Sequence, residues 1–216
     1  MYLSRIGLEG ARGDTMRLLA SPHMLHGAVE QCFTGERRRN LWRIDYLANE
    51  PFLLVLSEEA PDFERLARRY GRENMSPSWE IKSYDTLLSR VQEGQVWRFR
   101  LRANPVRSSA RERDQNKNRG KVFSHVTQDQ QKTWLAMRGE ANGFRVENES
   151  FDVVHAQWQK FRKGADRQAE VSILAVTFEG MLTVSDPNQF CATLTGGIGR
   201  EKAYGCGLLT IARLGR

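Results

Sequence analysis

The sequence has few cysteines and no long apolar run. Its 216 residues include three cysteines, Cys32, Cys191 and Cys206, which lie far apart and form no C-x-x-C pair. Neither a disulfide framework nor a zinc knuckle is indicated, and a reducing compartment fits best. No apolar run approaches the roughly 20 residues that span a bilayer, and residues 1–5 lack the apolar region of a signal peptide. We therefore expect a soluble, cytoplasmic protein with no membrane partner.

Metal and dinucleotide motifs are also missing. The sequence has no H-E-x-x-H, and its cysteines and carboxylates form no cluster with metal-ligand spacing, so we expect no metal and no cofactor. A glycine-rich segment, residues 196–209, does not follow a strand and open a helix, which argues against a dinucleotide fingerprint. Its place before the last predicted strand instead indicates a loop whose backbone can approach a phosphate or a neighbouring domain, with a merely structural turn from helix to strand as the alternative.

Basic residues are concentrated in one part of the chain. The whole sequence has 33 Lys plus Arg against 26 Asp plus Glu, a net charge of +7, and 40% hydrophobic residues, as in a folded globular protein. Residues 98–121 hold two acids and nine basic residues, so that their local charge equals that of the whole chain. The nine are Arg98, Arg100, Arg102, Arg107, Arg111, Arg113, Lys117, Arg119 and Lys121.

The first part of this basic region has the alternation of a strand. Residues 97–103 alternate apolar and basic side chains, which predicts an apolar face and a face of three arginines. Residues 108–120 are polar and too many for a simple turn, which predicts a loop that is either mobile or ordered by a partner. Phosphate oxygens are the natural partner of grouped guanidinium donors. An ordinary solvated sheet face is the alternative.

The element order predicts an α+β fold of two tandem ferredoxin-like domains, residues 1–88 and 95–216. Ser21 and Pro22 are typical of a helix N-cap and first turn. The first β-α-β-β-α-β unit has strands 2–8, 41–47, 52–56 and 79–84, with helices 22–33 and 61–70. The second has strands 96–106, 153–161, 172–184 and 207–214, with helices 129–138 and 187–194. We place the linker within 85–94.

Two histidines on the first predicted helix are candidates for catalysis. His23 and His26 are three residues apart, outside the stripe of apolar residues that begins at Leu25, so both are expected to be accessible. Two imidazoles could serve as general base and general acid without a metal. Metal-free RNA cleavage needs a deprotonated 2′-hydroxyl aligned with its phosphate and a protonated 5′-oxygen. Two surface histidines without function are the alternative.

Several segments, taken together and in order, resemble one family. They resemble the CasE-type CRISPR RNA endoribonucleases of type I-E systems, in the RAMP superfamily, over nearly the whole chain. The segments are Met1-Tyr2-Leu3-Ser4, Leu25-His26-Gly27, Phe99-Arg100-Leu101-Arg102-Ala103-Asn104-Pro105, Phe178-Glu179-Gly180 with Leu182-Thr183, and Gly197-Ile198-Gly199 through Lys202 to Gly205-Cys206-Gly207-Leu208-Leu209.

The resemblance implies a fold, an activity and partners. It implies two ferredoxin-like domains that cut the precursor CRISPR transcript within each repeat, beside a hairpin, leaving a 2′,3′-cyclic phosphate and a 5′-hydroxyl. Members then stay bound to the hairpin and join the multi-subunit Cascade complex. The family's catalytic histidine maps onto His26, while the tyrosine that members often carry three residues earlier is His23 here. We expect His26 to be indispensable and His23 to assist, with the base and acid roles open.

The resemblance also suggests which residues bind RNA. Arg100 and Arg102 match the family's arginine-bearing strand, and the basic loop that follows resembles the segment that grips the hairpin. The full set of candidates is Arg98, Arg100, Arg102, Arg107, Lys117, Arg119, Lys121, Lys163, Arg167 and Lys202. The alternative function is a non-catalytic scaffold that binds an RNA hairpin. A cyclic phosphodiesterase needs two H-x-[ST] motifs, and the chain has only one, at His125.

Overall fold

The described part of the chain contains two large antiparallel sheets, each covered by helices, and a two-stranded ribbon. The computed structural model describes residues 1–36, 38–72, 77–113, 120–163 and 169–214, with the backbone alone for residues 109–113, 120, 121, 163 and 169. Within these ranges no helix is both long and apolar enough to cross a bilayer, and the three cysteines are free thiols.

The first sheet has the strand order of a ferredoxin-like fold. Its strands are β1 (Tyr2–Gly7), β2 (Leu41–Leu47), β3 (Glu50–Ser57) and β4 (Trp79–Ser83), in the order β2-β3-β1-β4. The helices are α1 (Gly13–Leu19), α2 (Pro22–Glu30) and α3 (Glu64–Tyr70). The hydroxyl of Ser21 accepts a hydrogen bond from the Met24 amide at 3.3 Å, and Pro22 opens α2. The predicted start of α2 is thus confirmed, whereas α1 was not predicted.

The second sheet repeats this order. After the short helix α4 (Asp85–Leu88), its elements are β5 (Val96–Ala103), α5 (Gln128–Glu140), β8 (Phe144–Arg145), β9 (Phe151–Lys163), β10 (Ala169–Val184), α6 (Pro187–Gly196) and β11 (Leu209–Ala212). Strand β5 lies between β11 and β10, and β9 pairs with β10. Two tandem ferredoxin-like units are therefore present, and the predicted α+β fold class is confirmed.

The basic segment is more ordered in backbone than predicted. Strands β6 (Val106–Arg113) and β7 (Gly120–Ser124) form a two-stranded ribbon, here called the basic ribbon. A loop over 108–120 was wrong for residues 108–113, because they belong to β6, in which Ser108, Ser109 and Arg113 pair with β7. A single strand over 96–106 was also wrong, since β5 ends at Ala103, just before Pro105, which has no N–H to donate to a ladder.

The predicted alternation along β5 is confirmed. Trp97, Phe99, Leu101 and Ala103 are buried in the main apolar core, beneath α5 and α6. Arg98, Arg100 and Arg102 are the residues between them and lie on the opposite face of the strand. The face that carries the arginines is turned toward the first sheet.

A buried arginine joins the two sheets. Arg43 on β2 is 2% exposed, and all five of its N–H groups have acceptors. Its Nε and Nη2 donate to the two carboxylate oxygens of Asp45 at 2.7 Å, and Nη2 also donates to Thr210 Oγ1 at 2.8 Å. Its Nη1 donates to the carbonyls of Arg100 and Leu208, at 2.8 and 2.9 Å. The guanidinium therefore ties β2 to β5 and β11.

We predict that Arg43→Ala lowers the free energy of unfolding by about 3 to 5 kcal/mol, because it leaves the Asp45 carboxylate buried and without its main partner. Urea unfolding followed by circular dichroism measures the change. Arg98→Ala is the matched control, because Arg98 on β5 is exposed, and it should shift stability by less than about 0.5 kcal/mol. Equal unfolding midpoints for the two variants would show that Arg43 does not hold the sheets together.

Candidate active site

His26 lies where α2 meets the glycine-rich segment of the second ferredoxin-like unit. Its side chain is 21% exposed and lines a cavity of about 330 Å³. The cavity is also lined by Glu30, Arg38, Arg39, Asn40 and Ala203. His26 Nδ1 is 4.0 Å from Glu30 Oε1, one helical turn further on. An imidazole, a carboxylate and two guanidiniums thus share one cavity, to which both units contribute.

Glycines let the glycine-rich segment pack closely against β2. Gly205 has a φ of +76°, and a Cβ there would lie 2.6 Å from the ring of Trp42. Gly197 has a φ of +72°, and its Cβ would lie 2.9 Å from the side chain of Leu41. Both the backbone angle and the close approach require glycine. Of the two roles expected for this segment, the structure shows the approach to a neighbouring domain.

The packing of the glycine-rich segment on β2 brings Tyr204 close to His26. Tyr204 was not singled out from the sequence. Its ring centroid lies 6.4 Å from that of His26, with the rings edge to face, and 4.6 Å from that of Phe161. Burial, and to a lesser degree the charge of Glu201, raises the pKa of Tyr204. The phenol therefore stays protonated at neutral pH and is a hydrogen-bond donor beside the imidazole.

Lys202 caps a helix in the structure. Its Nζ donates to the carbonyls of Gly196 and Gly197, at 2.5 and 2.7 Å, at the C-terminal end of α6. Burial, and then the nearby charge of Arg39, lowers the pKa of Lys202. Two donors of the ammonium are therefore used within the protein, and its contact with RNA stays a prediction.

His23 and His26 do not line the same cavity. His23 is exposed and lines a cavity of about 320 Å³ between α2 and α3, together with Asp62, Arg65 and Arg69. Three residues of an α-helix rotate the side chain by about 300°, so the two imidazoles are displaced by about 60° around α2. That displacement is enough to turn His26 toward the glycine-rich segment and His23 toward α3.

The candidate arginines differ in their surroundings. Arg100 Nε lies 3.3 Å from Asp45, and its Nη1 lies 2.5 Å from Glu179, so its charge is compensated by two carboxylates. Arg100 and Arg102 both line a groove between the two sheets, which has a volume of about 450 Å³. Arg98 is exposed. Arg107 lies on the basic ribbon, with its guanidinium 5.3 Å from the centroid of the Phe123 ring.

The remaining candidates are only partly described. Lys117, Arg119 and Arg167 lie outside the described residues, while Lys121 and Lys163 are described in their backbone, on β7 and β9. Among the described residues, no group of three or more His, Cys, Asp or Glu side chains is arranged to hold a metal ion. The roles of the five basic residues stay predictions.

We predict that Gly205→Ala destabilises the protein by about 1 to 3 kcal/mol, because alanine is strained at this φ and its Cβ meets Trp42. Thermal unfolding measures the loss. Gly196→Ala is the matched control, since a Cβ there meets no atom within 4 Å. Equal melting temperatures for both variants would contradict the close packing of the glycine-rich segment on β2.

The chain is similar to known proteins over nearly its whole length. Residues 1–213 match a family model described as CRISPR associated protein. The CRISPR-associated endoribonuclease Cse3 of Thermus thermophilus is 32% identical over 225 residues, which cover 98% of this chain and all of that protein. The Cascade subunit CasE of Escherichia coli is 30% identical over 130 residues, which cover 57% of this chain and 61% of that protein.

Solved structures give the same result. A structure of Cse3 bound to a 19-nucleotide RNA has a TM-score of 0.77 and 30% identity, and 98% of each chain is covered. Thermus thermophilus Cse3 bound to an RNA that represents a pre-cleavage complex has a TM-score of 0.77 and 29% identity, with the same coverage. The chain belongs to this family of CRISPR-associated proteins, and within it to the Cse3 and CasE type.

Proposed function

We propose that this chain is an endoribonuclease that cleaves precursor CRISPR RNA within the repeat, next to a hairpin, and stays bound to the mature guide RNA. The observation that carries the proposal is the position of His26, in a cavity with Arg39 and beside Tyr204, at the junction of the two ferredoxin-like units. Full-length similarity to the endoribonuclease Cse3 supports the same activity.

The proposed reaction is an attack by the 2′-hydroxyl on the adjacent phosphate. The 2′-oxygen loses its proton and forms a bond to phosphorus, the bond from phosphorus to the 5′-oxygen breaks, and the 5′-oxygen takes up a proton. The products are a 2′,3′-cyclic phosphate and a 5′-hydroxyl, and no metal or cofactor takes part. General acid and base catalysis of this kind contributes typically 10²- to 10⁴-fold per group.

We assign the main proton transfer to His26. Its Nδ1 lies 4.0 Å from Glu30 Oε1, and its imidazole lines the cavity to which both units contribute. Arg38 is held by Glu58 and Glu59, so we assign Arg39 to the phosphate oxygens. For the second proton transfer the cavity favours Tyr204 over His23, since Tyr204 lies beside His26 and His23 lines another cavity.

We assign RNA binding mainly to the C-terminal domain, residues 95–216, and the catalytic helix α2 to the N-terminal domain, residues 1–88. The deep, narrow major groove of A-form RNA limits base readout, so a hairpin stem is held largely through its shape and its phosphates. The arginine face of β5 and the basic ribbon supply cations for such contacts.

We further propose that the protein joins a Cascade complex as its RNA-processing subunit. The similarity to the Cascade subunit CasE supports this partner. We place the protein in the cytoplasm, because its three cysteines are free thiols and two of them are buried, as expected in a reducing compartment.

We predict that His26→Ala lowers the rate of hairpin cleavage at least about 100-fold while leaving hairpin affinity unchanged, because it removes a proton-transfer group. His23→Ala should lower the cleavage rate far less, since His23 lies outside the cavity that His26 lines. Labelled repeat RNA in excess EDTA measures both rates, with a 2′-deoxy substrate at the cut site as the uncleavable control.

Three results would contradict this function. Tight binding without cleavage by the parent protein would assign it to the RNA-binding scaffolds. Cleavage that survives in His26→Ala would place the active site elsewhere. Cleavage of the 2′-deoxy substrate would exclude attack by the 2′-hydroxyl.

We predict that Arg102→Ala weakens hairpin binding and lowers the slope of log affinity against log salt by about one, because one phosphate contact is lost. Binding titrations at several salt concentrations measure the slope. Arg68→Ala is the control, since Arg68 is exposed on α3, within the N-terminal unit. An unchanged slope in Arg102→Ala would remove Arg102 from the RNA interface.

A further inference from the structure

Another, larger cavity adjoins the glycine-rich segment. It has a volume of about 740 Å³ and is bounded by the basic ribbon, α5 and Gly199 to Arg200. Here it is called the α5 cleft. Its size is in the range of sites for small organic ligands, roughly 300 to 1,000 Å³. No step of the proposed cleavage uses it.

The α5 cleft is strongly cationic. Arg107, Arg138 and Arg200 line it, against one carboxylate, Asp129. In the described part of the chain no carboxylate lies within ion-pair distance of these three guanidiniums; Arg200 instead donates to the hydroxyl of Ser108 at 3.2 Å. Neutral neighbours thus hold the guanidiniums in place without cancelling their charge, which favours an anionic ligand such as a phosphate.

One wall of the cleft is suited to a flat ring. The guanidinium of Arg138 lies 5.9 Å from the centroid of the Trp134 ring, in a cation–π contact. Met137, beside it on α5, is 69% exposed and lines the same wall. A planar guanidinium stacks on nucleobases, and the polarizable thioether of methionine makes favourable contacts with aromatic rings.

Two buried polar atoms at the cleft lack partners. Asn104 is 7% exposed and Trp134 is 6% exposed, and both line the cleft. Neither Asn104 Oδ1 nor Trp134 Nε1 has a hydrogen-bond partner among the described residues. Buried polar atoms are almost always paired, so these two are exceptions in the wall of the cleft.

We propose that the α5 cleft binds one unpaired nucleotide of the RNA, with its phosphate on Arg107 and Arg200 and its base against Arg138 and Met137. The proposal rests on the proposed function, because it takes the RNA as the source of the nucleotide. The two cavities are neighbours along the glycine-rich segment, since Arg200 lines the cleft and Ala203 lines the active site. These two residues are three positions apart in the protein chain, so an RNA strand that passes the active site can also reach the cleft.

The test compares hairpin RNAs with and without an unpaired flank, on the 5′ or the 3′ side, all with a 2′-deoxy at the cut site. Fluorescence anisotropy with the full chain measures affinity. We expect one flank to raise affinity about ten-fold, as for a stacked base, and an abasic residue in that flank to abolish the gain. The double variant Met137→Ala, Arg138→Gln should lose this gain and keep the affinity for the hairpin alone.

The chain offers a matched control for the double variant. Met16 and Arg17 are also consecutive and exposed, on α1, so Met16→Ala, Arg17→Gln makes the same chemical change away from the cleft. This variant should keep the gain from the flank. Circular dichroism of both double variants shows whether each is folded to the same extent as the parent.

The outcomes separate the cleft from the proposed function. If neither flank raises affinity, or if the Met137→Ala, Arg138→Gln variant keeps the gain, the cleft does not bind the RNA, while hairpin binding and cleavage still support the function. If the parent binds no hairpin, both proposals fail. If free 5′-AMP binds to the parent and not to the variant, and flanks have no effect, the occupant is a free nucleotide and the RNA assignment is overturned.

Discussion

The buried guanidinium of Arg43 fixes how the two sheets sit on each other. All its donors are used, three of them by groups of the second ferredoxin-like unit, and Asp45 also pairs with Arg100, which in turn contacts Glu179. A continuous series of ion pairs therefore connects β2, β5 and β10. The desolvation penalty can offset much of the attraction in such a network, so its main effect is on geometry. In any other arrangement of the sheets Arg43 would keep Asp45 but lose its three acceptors on the second unit.

The candidate active site depends on that arrangement. His26 and Arg39 come from the first unit, whereas Ala203 and Tyr204 come from the second, so neither unit completes the cavity alone. Strand β2 explains why they meet: it is an edge strand of the first sheet, and three consecutive residues of it contact the second unit. Leu41 packs on Gly197 and Trp42 on Gly205, and Arg43 donates to the carbonyl of Arg100 within β5 and to that of Leu208 just before β11. Covering an edge strand in this way also prevents it from pairing with another chain.

Sequence patterns predicted elements with strong local signals and missed those that tertiary contacts create. The alternation on β5 and the cap of α2 by Ser21 are local, and both were predicted correctly. Helix α1 is only seven residues long and begins at a glycine, so it has little helical signal of its own. In β2, alternation alone puts Arg43 opposite Trp42 and exposes it, whereas both are buried because the second unit covers the strand. For the same reason the spacing of His23 and His26 gives their places on α2 but not the different neighbours that each one meets.

The structure also divides the arginines into two groups that net charge cannot distinguish. Arg43 and Arg100 are compensated by carboxylates and hold the two units together, whereas Arg107 and Arg200 are held by an aromatic ring and a hydroxyl. An arginine whose charge is already neutralised gains less from a phosphate, because an existing ion pair has to be broken first. The carboxylates that compensate Arg100 lie outside residues 98–121, so the local charge of +7 counted along the sequence overstates the cations that this region offers to RNA. The electrostatic contribution to binding is therefore set by which arginines lack carboxylate partners, and among the described residues Arg107 on the basic ribbon and Arg200 in the glycine-rich segment are two of them.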